Sequence, residues 1–467
     1  GAHVAEFSVE ALTGLGGDIA INARNHELAL GVFAFDETAA TITITGATLH
    51  GRNVSVYASA NNFDGTFFDQ LAEESEASFF TPEGFTPDGF LNGIKGAVDT
   101  VGQTTTDLFS KYRFLAATSF LDAKATVTVT DSVIQATQDV RVVAASDSMV
   151  SQFAYSEWVG GGYAISKAEA KVDIAGTTTI TAGKNLEVSS WVQNALSLKT
   201  HVGGAILGLV ETNTSKNSSF GFSVVFTRAD TIASTTIGDT TELIAEQGDI
   251  HILAVGDKNI GAFSKAQGQR KKVAGSVAIS LGNASSTVDV YGTVTAVLGD
   301  ITIEASSATV DNAVQSRGVV GASMLEKKIL HGLNKKAASA KEEKQLAAKE
   351  KELQSGQTPP KQSEIEGLKK TEKGTVDTTE TDAFGLSFGV AYALHTTTAN
   401  ATVQSTAVVS AGSDVVVRAD VADQFRVFAK AKVGKSYPEE IDLKDPDKTI
   451  LVENGGSIAV SFSEYSS

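Results

Sequence analysis

The 467-residue sequence contains no cysteine, only six prolines and only two tryptophans. The lack of cysteine excludes a disulfide scaffold, a zinc–thiolate site, an iron–sulfur cluster and a thiol nucleophile. No apolar stretch approaches the roughly 18 residues that a membrane-spanning helix needs, so we expect no transmembrane segment. Positive charge is also scarce, because 38 basic residues against 55 acidic ones give a net charge of −17. That balance argues against nucleic acid or an anionic membrane as a partner.

What the sequence does have is a recurring phrase, usually Gly, then Asp or Asn, then alternating apolar residues. An eighth occurrence, Gly456-Ser457-Ile458-Ala459-Val460, lacks the Asp or Asn. The first residue is Gly1 and not Met, and no charged-then-apolar signal segment follows it. We therefore expect both ends to be cuts through a longer repeating protein, the last one in mid-repeat. The acidic or amide residues that precede the first apolar residue are Asp18, Asn53, Asp139, Asn185, Asp249, Asp300 and Asp414.

A second alternating phrase precedes four of these copies by the same 11 residues; it comprises 126–129, 171–174, 236–237 and 287–290. Short period-two runs with Gly or Asx turns between them predict β-strands. The step between neighbouring copies varies, being 34, 45 or 51 residues. Elastic spacing favours stacked coils whose loops absorb insertions over a β-propeller or a sandwich.

The sequence thus predicts an all-β protein, a right-handed parallel β-helix (solenoid) with two largely helical insertions. Its interior should be a column of Val, Ile, Leu and Ala, with Ile250, Ile301 and Val415 in file, about 4.8 Å apart. Right-handedness follows the general preference of parallel crossovers. About 16 coils would make a rod of about 80 Å. A string of small β-sandwiches is the alternative architecture.

Two segments depart from the repeat. The first is rich in phenylalanine, with apolar residues at helical spacing, and either covers the flank of the coils or binds a partner. The second mixes Lys and Glu at three- and four-residue steps, which favours an exposed helix, either a solvated spur or a contact to an acidic subunit. The predicted organisation is coils over 1–62, 117–324 and 375–467, an aromatic-rich helical insertion over 63–116 and a Lys/Glu-rich helical insertion over 325–374.

The repeated phrases resemble the Gly-Asp-Val-x-Val-x-Ala and Ala-Thr-Val-x-Val repeats of large secreted bacterial adhesins and of autotransporter or haemagglutinin-like surface proteins. The resemblance covers the phrases and neither insertion. It implies an extracellular location at a bacterial cell surface, in keeping with the lack of cysteine. The glycine-rich nonapeptide of calcium-binding β-rolls does not occur, so calcium binding is not implied by this resemblance.

Several polar residues are candidates for chemistry. The seven Asx residues suit a structural turn ladder, because Asx side chains bond backbone N–H groups two residues on. Stacked carboxylates could alternatively bind calcium, for which the acidic loop with Asp442, Asp445 and Asp447 is a further weak candidate. Asp173 and Asp289 occupy equivalent positions and could form a catalytic carboxylate pair. The histidines lack metal-binding spacing, and His251 fits an outward strand position.

These observations predict no catalytic residues, no cofactor beyond a possible calcium ion, and a structural role. The expected function is a stalk or filament segment that mediates surface attachment or self-assembly. Its partners would be adjoining segments of the same protein, identical subunits or surface glycans. The alternative is a polysaccharide-active or carbohydrate-binding β-helix protein, although Trp158 and Trp191 are too few for an extended sugar-stacking platform.

Overall fold

The computed structural model describes residues 2–13, 17–30, 33–65, 114–156, 159–202, 220–268, 273–320, 384–433 and 454–466. All regular secondary structure in these ranges is β-strand, which confirms the all-β class. The strands of the first part are β1 (Ala2–Thr13), β2 (Ile19–Leu30), β3 (Phe33–Gly51), β4 (Val54–Gly65), β5 (Phe114–Thr130), β6 (Val133–Ala136), β7 (Val140–Ser156), β8 (Val159–Ala175), β9 (Thr179–Ala182) and β10 (Leu186–Val202). Those of the second part are β11 (Phe220–Ile237), β12 (Glu242–Ala245), β13 (Ile250–Gly268), β14 (Val273–Val290), β15 (Thr293–Ala296), β16 (Ile301–Val320), β17 (Phe384–Val403), β18 (Val408–Ala411), β19 (Val415–Val433) and β20 (Asn454–Ser466).

These strands form two parallel sheets in which each repeat adds one layer, here called a rung. From β5 onwards a rung has a long strand and a four-residue strand in the 13-stranded first sheet, then a long strand in the 7-stranded second sheet. The second sheet has the order β19-β16-β13-β10-β7-β4-β2, so each strand pairs with its counterparts in the adjacent rungs. The strands of all described rungs belong to the same two sheets. This excludes the alternative architecture, a string of separate small β-sandwiches.

The predicted file of apolar residues is confirmed. Ile250 pairs with Ile301, which pairs with Val415 on its other side. Alternate residues of these strands face inward, as the alternation along β8 of buried positions with partly buried or exposed ones shows. Val, Ile and Leu from the short strands and from the adjoining halves of the long strands pack into one large cluster. The Thr- and Val-rich alternation therefore folds as period-two strands that share a core.

The turn between the long strand and the short strand of the first sheet needs a left-handed residue in three successive rungs. Gly46 and Gly176 have φ of 63° and 66°, and Asp131 has φ of 51° at the equivalent turn. Glycine adopts this region without a Cβ penalty, and Asp is among the residues that tolerate it. Asp131 and Gly176 lie between a long strand and the following short strand, whereas Gly46 lies at the equivalent position inside β3.

Several sequence predictions need correction. β4 continues to Gly65 and β5 begins at Phe114, so Phe63 and Phe114 are strand residues and not part of the first insertion. They extend the pairing of the long strands, which outlast the recognisable phrases. The remainder of that insertion, 66–113, lies outside the described residues, and so does 321–383, which includes the whole Lys/Glu-rich insertion.

The phrase at Gly456–Val460 is not a copy of the Asx phrase. It lies in β20 and pairs with β17 in the first sheet, where Gly456 faces Leu386 and Ile458 faces Phe388. Its missing Asp or Asn is explained, because it belongs to a different strand of the rung. The estimate of 16 coils is also wrong, since three strands make one rung. Seven strands in the second sheet span about 30 Å.

The interior is only partly the aliphatic column that was predicted. Beyond the large cluster, the inner faces of the long strands carry buried Ser, Thr, Asn and Lys side chains among small apolar residues. In the second sheet these include a row that we call the interior polar row, formed by Asn62, Ser148, Asn194, Lys258, Thr309 and Asp423 in consecutive rungs.

Candidate functional site

The seven Asx residues of the repeated phrase all lie in the turn that enters a long strand of the second sheet. We call them the Asx ladder, because their side chains accept hydrogen bonds from the backbone of the next rung. Contrary to the prediction from the sequence, they do not bond N–H groups of their own turn. The backbone N–H groups of Asp139, Asn185, Asp249, Asp300 and Asp414 donate to Oδ1 of Asn53, Asp139, Asn185, Asp249 and Asp300, respectively, over 2.8–3.2 Å.

Two neighbouring glycines show how closely these turns stack. A Cβ placed on Gly299 would collide with the backbone oxygen of Gly248 one rung away, and a Cβ on Gly183 would collide with that of Thr137. At these two positions glycine is therefore required by the close approach of the backbones of adjacent rungs. This explains why Gly and Asx recur together in the sequence.

The ladder begins with an exposed ion pair. Arg52 donates from Nε to Oδ1 of Asp18 at 3.0 Å and from Nη2 to Oδ2 at 2.9 Å, and the Asn53 amide donates to Oδ1 as well. These hydrogen bonds, chiefly the one from Arg52, lower the pKa of Asp18 to about 2. At the other end, the Asp414 backbone N–H lowers the pKa of Asp300. The acidic side chains of the ladder are thus held as hydrogen-bond acceptors.

The calcium candidates Asp442, Asp445 and Asp447 lie outside the described residues, and calcium binding stays a prediction. Within the described ranges, no three His, Asp or Glu side chains are close enough together to hold a metal ion. The same ranges contain no helix that is long and apolar enough to cross a membrane.

Asp173 and Asp289 lie on either side of the same residue, Thr236, with which both pair. They are thus two rungs, or about 10 Å of backbone, apart. Asp173 is engaged by Lys171, whose Nζ lies 3.3 Å from Oδ2. His251 is partly exposed on β13, between Glu187 and Thr302 of the neighbouring strands. The structure therefore does not bring these three candidates together.

A groove of about 380 Å³ lies on the outer face of the second sheet; it is lined by Ser55, Tyr57, Arg141, Val143, Ala145, Glu187 and Trp191. We call it the Trp191 groove. These residues belong to β4, β7 and β10, three consecutive rungs. Its volume is at the lower end of the ~300–1,000 Å³ that is typical of small-molecule sites.

The polar wall of this groove is held by a connected set of hydrogen bonds. Nε and Nη2 of Arg141 contact Oε2 of Glu187 at 2.8 and 2.7 Å, and the Ser189 hydroxyl donates to Oε1 at 2.8 Å. Beside the aromatic wall, the guanidinium of Arg24 lies 5.2 Å from the centre of the Tyr57 ring. The groove thus combines one exposed aromatic ring, that of Trp191, with a preorganised charged pair.

The interior polar row contains a buried lysine. Lys258 is 1% exposed, and its Nζ makes no hydrogen bond within the described residues. Burial lowers the pKa of Lys258 to about 8, although the carboxylates of Asp423 and Asp230 act in the opposite direction. Burial, together with Lys258, lowers the pKa of His395 to about 3. Because the Lys258 and His395 side chains are buried, they do not form an open site.

Sequence reasoning missed both the groove and the interior polar row. Trp191 and Lys258 occur once each in their columns, so no repeated phrase marks them. The only available signal was that an outward strand position carries one of the two tryptophans. Comparison of the chain with protein-family models, curated proteins and solved structures finds no match. The resemblance to adhesin repeats therefore stays an expectation, and function must be argued from geometry.

Proposed function

We propose that the chain is a rigid segment of a right-handed parallel β-helix, and that it serves as a stalk or filament unit of a large bacterial surface protein. The observation that supports this proposal most is the pairing of the second sheet. All 17 residues of β10 pair in parallel with β7 on one side and with β13 on the other, without a shift in register. Such pairing directs the backbone hydrogen bonds along the stacking axis.

A second support is the number of parallel links that each rung makes. The backbone ladders of two sheets act together with the Asx ladder, and cross-strand side-chain pairs add roughly 0.2–1 kcal/mol each. In repeat proteins such nearest-neighbour terms accumulate along the axis. A load applied along the stack is then shared among many hydrogen bonds in every rung.

The closed, right-handed course of the coil follows from general chain geometry. Each rung passes from a long strand through a short strand to a second long strand, and the next rung begins beside the first. Parallel crossovers of this kind are right-handed in nearly all proteins. Closure is also favoured because the same apolar cluster contains residues of all three strands, for example Val172, Ile180 and Val188.

The partner of this unit is a further rung, from an adjoining segment or an identical subunit. β19 is the edge strand of the second sheet among the described residues, and its Val415 and Val417 are 47% and 48% exposed, whereas their neighbours Ile301 and Ile303 are fully buried. A sheet edge of this kind is a template for pairing. An incoming strand would cover these valines and offer a backbone N–H to the Asp414 side chain.

Pulling a single chain by its ends with optical tweezers tests the mechanical role. We expect stepwise extension, in which release of one rung such as the 46 residues from Asp139 to Asn185 adds roughly 150 Å. A single cooperative transition that extends the whole chain at once would contradict the stalk proposal. Antibody labelling of intact source cells tests the surface location, and labelling only after lysis would refute it.

A further inference from the structure

We propose that the Trp191 groove binds a neutral oligosaccharide, without cleaving it. This inference rests on the groove alone and stands or falls independently of the stalk function. A sugar ring presents a flat C–H face together with hydroxyl groups at its edge. The groove presents the matching pair of surfaces, an exposed aromatic face beside fixed polar groups.

The apolar surface is produced by the residues that flank Trp191 across the sheet. Trp191 pairs with Ala145 on one side, and Ala145 pairs in turn with Ser59. These small side chains leave the indole 42% exposed. Tyr57 stands two rungs from the Trp191 strand, about 10 Å away by the inter-strand spacing, with Val143 between them. The result is an apolar surface that has the exposed indole of Trp191 at one end and the Tyr57 ring, over which Arg24 lies, at the other.

The polar surface has donors and acceptors that are fixed in advance. Arg141 uses Nε and Nη2 to bind Glu187, and a guanidinium carries five N–H groups in all. Its remaining donors can bind ligand hydroxyls. Because Ser189 and Arg141 hold the Glu187 carboxylate in place, its free lone pairs can accept from a hydroxyl without further ordering of the side chain.

The charge of the groove selects among ligands. Arg141 and Glu187 compensate each other, and the whole chain carries −17. A polyanionic sugar would therefore be repelled at long range. A quaternary ammonium ligand, which favours aromatic cages, is disfavoured because Arg24 already lies over the Tyr57 ring. A neutral saccharide meets neither obstacle.

The same groove lacks the groups for hydrolysis. Glycosidases use two carboxyl groups roughly 5–9.5 Å apart, whereas Glu187 is the one carboxylate among the described residues that line the groove. Binding without turnover is the expected outcome.

The test uses Trp191 as its own reporter. Since Trp158 is the other tryptophan, the full chain with Trp158→Phe keeps Trp191 as the single indole. This variant is titrated with maltohexaose, cellohexaose and chitohexaose, and with hexagalacturonic acid as the acidic comparison. We expect a saturable change in Trp191 emission with at least one neutral hexasaccharide, with a Kd of about 1 mM or below, and none with the acid.

Calorimetry on the unsubstituted chain then locates the site. Trp191→Ala should weaken binding at least roughly tenfold, whereas Tyr163→Ala, an exposed aromatic on the first sheet with a similar 39% exposure, should leave it unchanged. Circular dichroism confirms that each variant is folded. Lack of binding to every neutral hexasaccharide up to about 10 mM, retained binding in Trp191→Ala, tighter binding of the acid, or release of shorter sugars would each overturn the proposal.

Discussion

The two halves of the long strands differ in their interior chemistry. Next to the short strands, inward residues such as Val188, Ile252 and Ile303 stack in file and are fully buried. Towards the other end of the long strands, the inward positions form hydroxyl and amide contacts, for example Ser166 to Asn194 at 2.7 Å. A stacked aliphatic residue packs on any aliphatic neighbour, whereas a stacked polar residue needs a donor matched to an acceptor. The first half therefore supplies stability, and the second half restricts which rungs can be neighbours.

The largest effect is expected from truncation in the aliphatic half. Ile252→Ala removes buried methyl groups between Val188 and Ile303 and should lower the free energy of unfolding by about 2–5 kcal/mol. His251→Ala, at the adjacent outward position, is the control and should stay within about 0.5 kcal/mol. Urea unfolding monitored by circular dichroism measures both. Equal losses would show that inward and outward positions do not differ there.

The next effect concerns the buried lysine of the polar half. A Lys with pKa near 8 in the folded protein and near 10.5 when unfolded releases its proton earlier in the native state. Stability should thus rise between about pH 8 and pH 10.5, by about 3 kcal/mol. Lys258→Met should remove this rise and be at least as stable as the parent near pH 7. The pH dependence of urea midpoints measures it; an unchanged rise in the variant would place its origin elsewhere.

A smaller effect is expected in the hydroxyl contacts of the same half. The Ser264 hydroxyl donates to the backbone oxygen of Ser223 at 2.9 Å and receives a bond from the Ser276 hydroxyl at 3.0 Å. Ser264→Ala should cost about 2 kcal/mol, because buried partners lose a hydrogen bond. Ser55→Ala, in a partly exposed outward position, serves as the control. Thermal melts measure both variants. Equal melting temperatures would show that the polar half does not require matched hydrogen-bond partners.

The smallest effect is expected at the surface ladder. Asp249→Ala removes the acceptor of the Asp300 backbone N–H and should cost about 1 kcal/mol. Asp249→Asn keeps an oxygen in the same place, as Asn185 does one rung earlier, and should stay close to the parent. Thermal melts of the two variants compare them directly. If Asp249→Asn lowers the melting temperature as much as Asp249→Ala does, the ladder requires the negative charge and not the acceptor oxygen.

The repeat could be predicted because its constraints recur in every rung. The Asx acceptors recur at each of these turns, and most of the turns also carry a glycine, so the columns are visible in a single sequence. Matching strand positions between repeats by their spacing in the sequence gave a wrong register where the loops differ in length. The segment Thr236-Ile237 was matched to Lys171-Val172 by its distance to the next glycine, yet Ile237 pairs with Ile174 and Val290. Period-two patterns shift by two residues without any change of face, so spacing alone could not detect the error.

The features that set one rung apart could not be predicted in this way. In the sequence, Lys258 cannot be told from a lysine on the outer face of a strand. Whether it faces inward or outward depends on the residue at which β13 begins. Trp191 forms a groove only because Ala145 happens to be its neighbour across the sheet. Such pairings join residues 46 positions apart through loops of unequal length, and they need the structure to be seen.

The Asx ladder spans sequence gaps of very different size with nearly constant geometry. The bond between Asn185 and Asp249 bridges 64 residues at 3.1 Å, and that between Asp300 and Asp414 bridges 114 residues at 2.9 Å. The scaffold is thus indifferent to how much polypeptide leaves and returns between two layers. The loops between rungs are therefore positions at which a whole domain can be inserted without disturbing the rungs on either side.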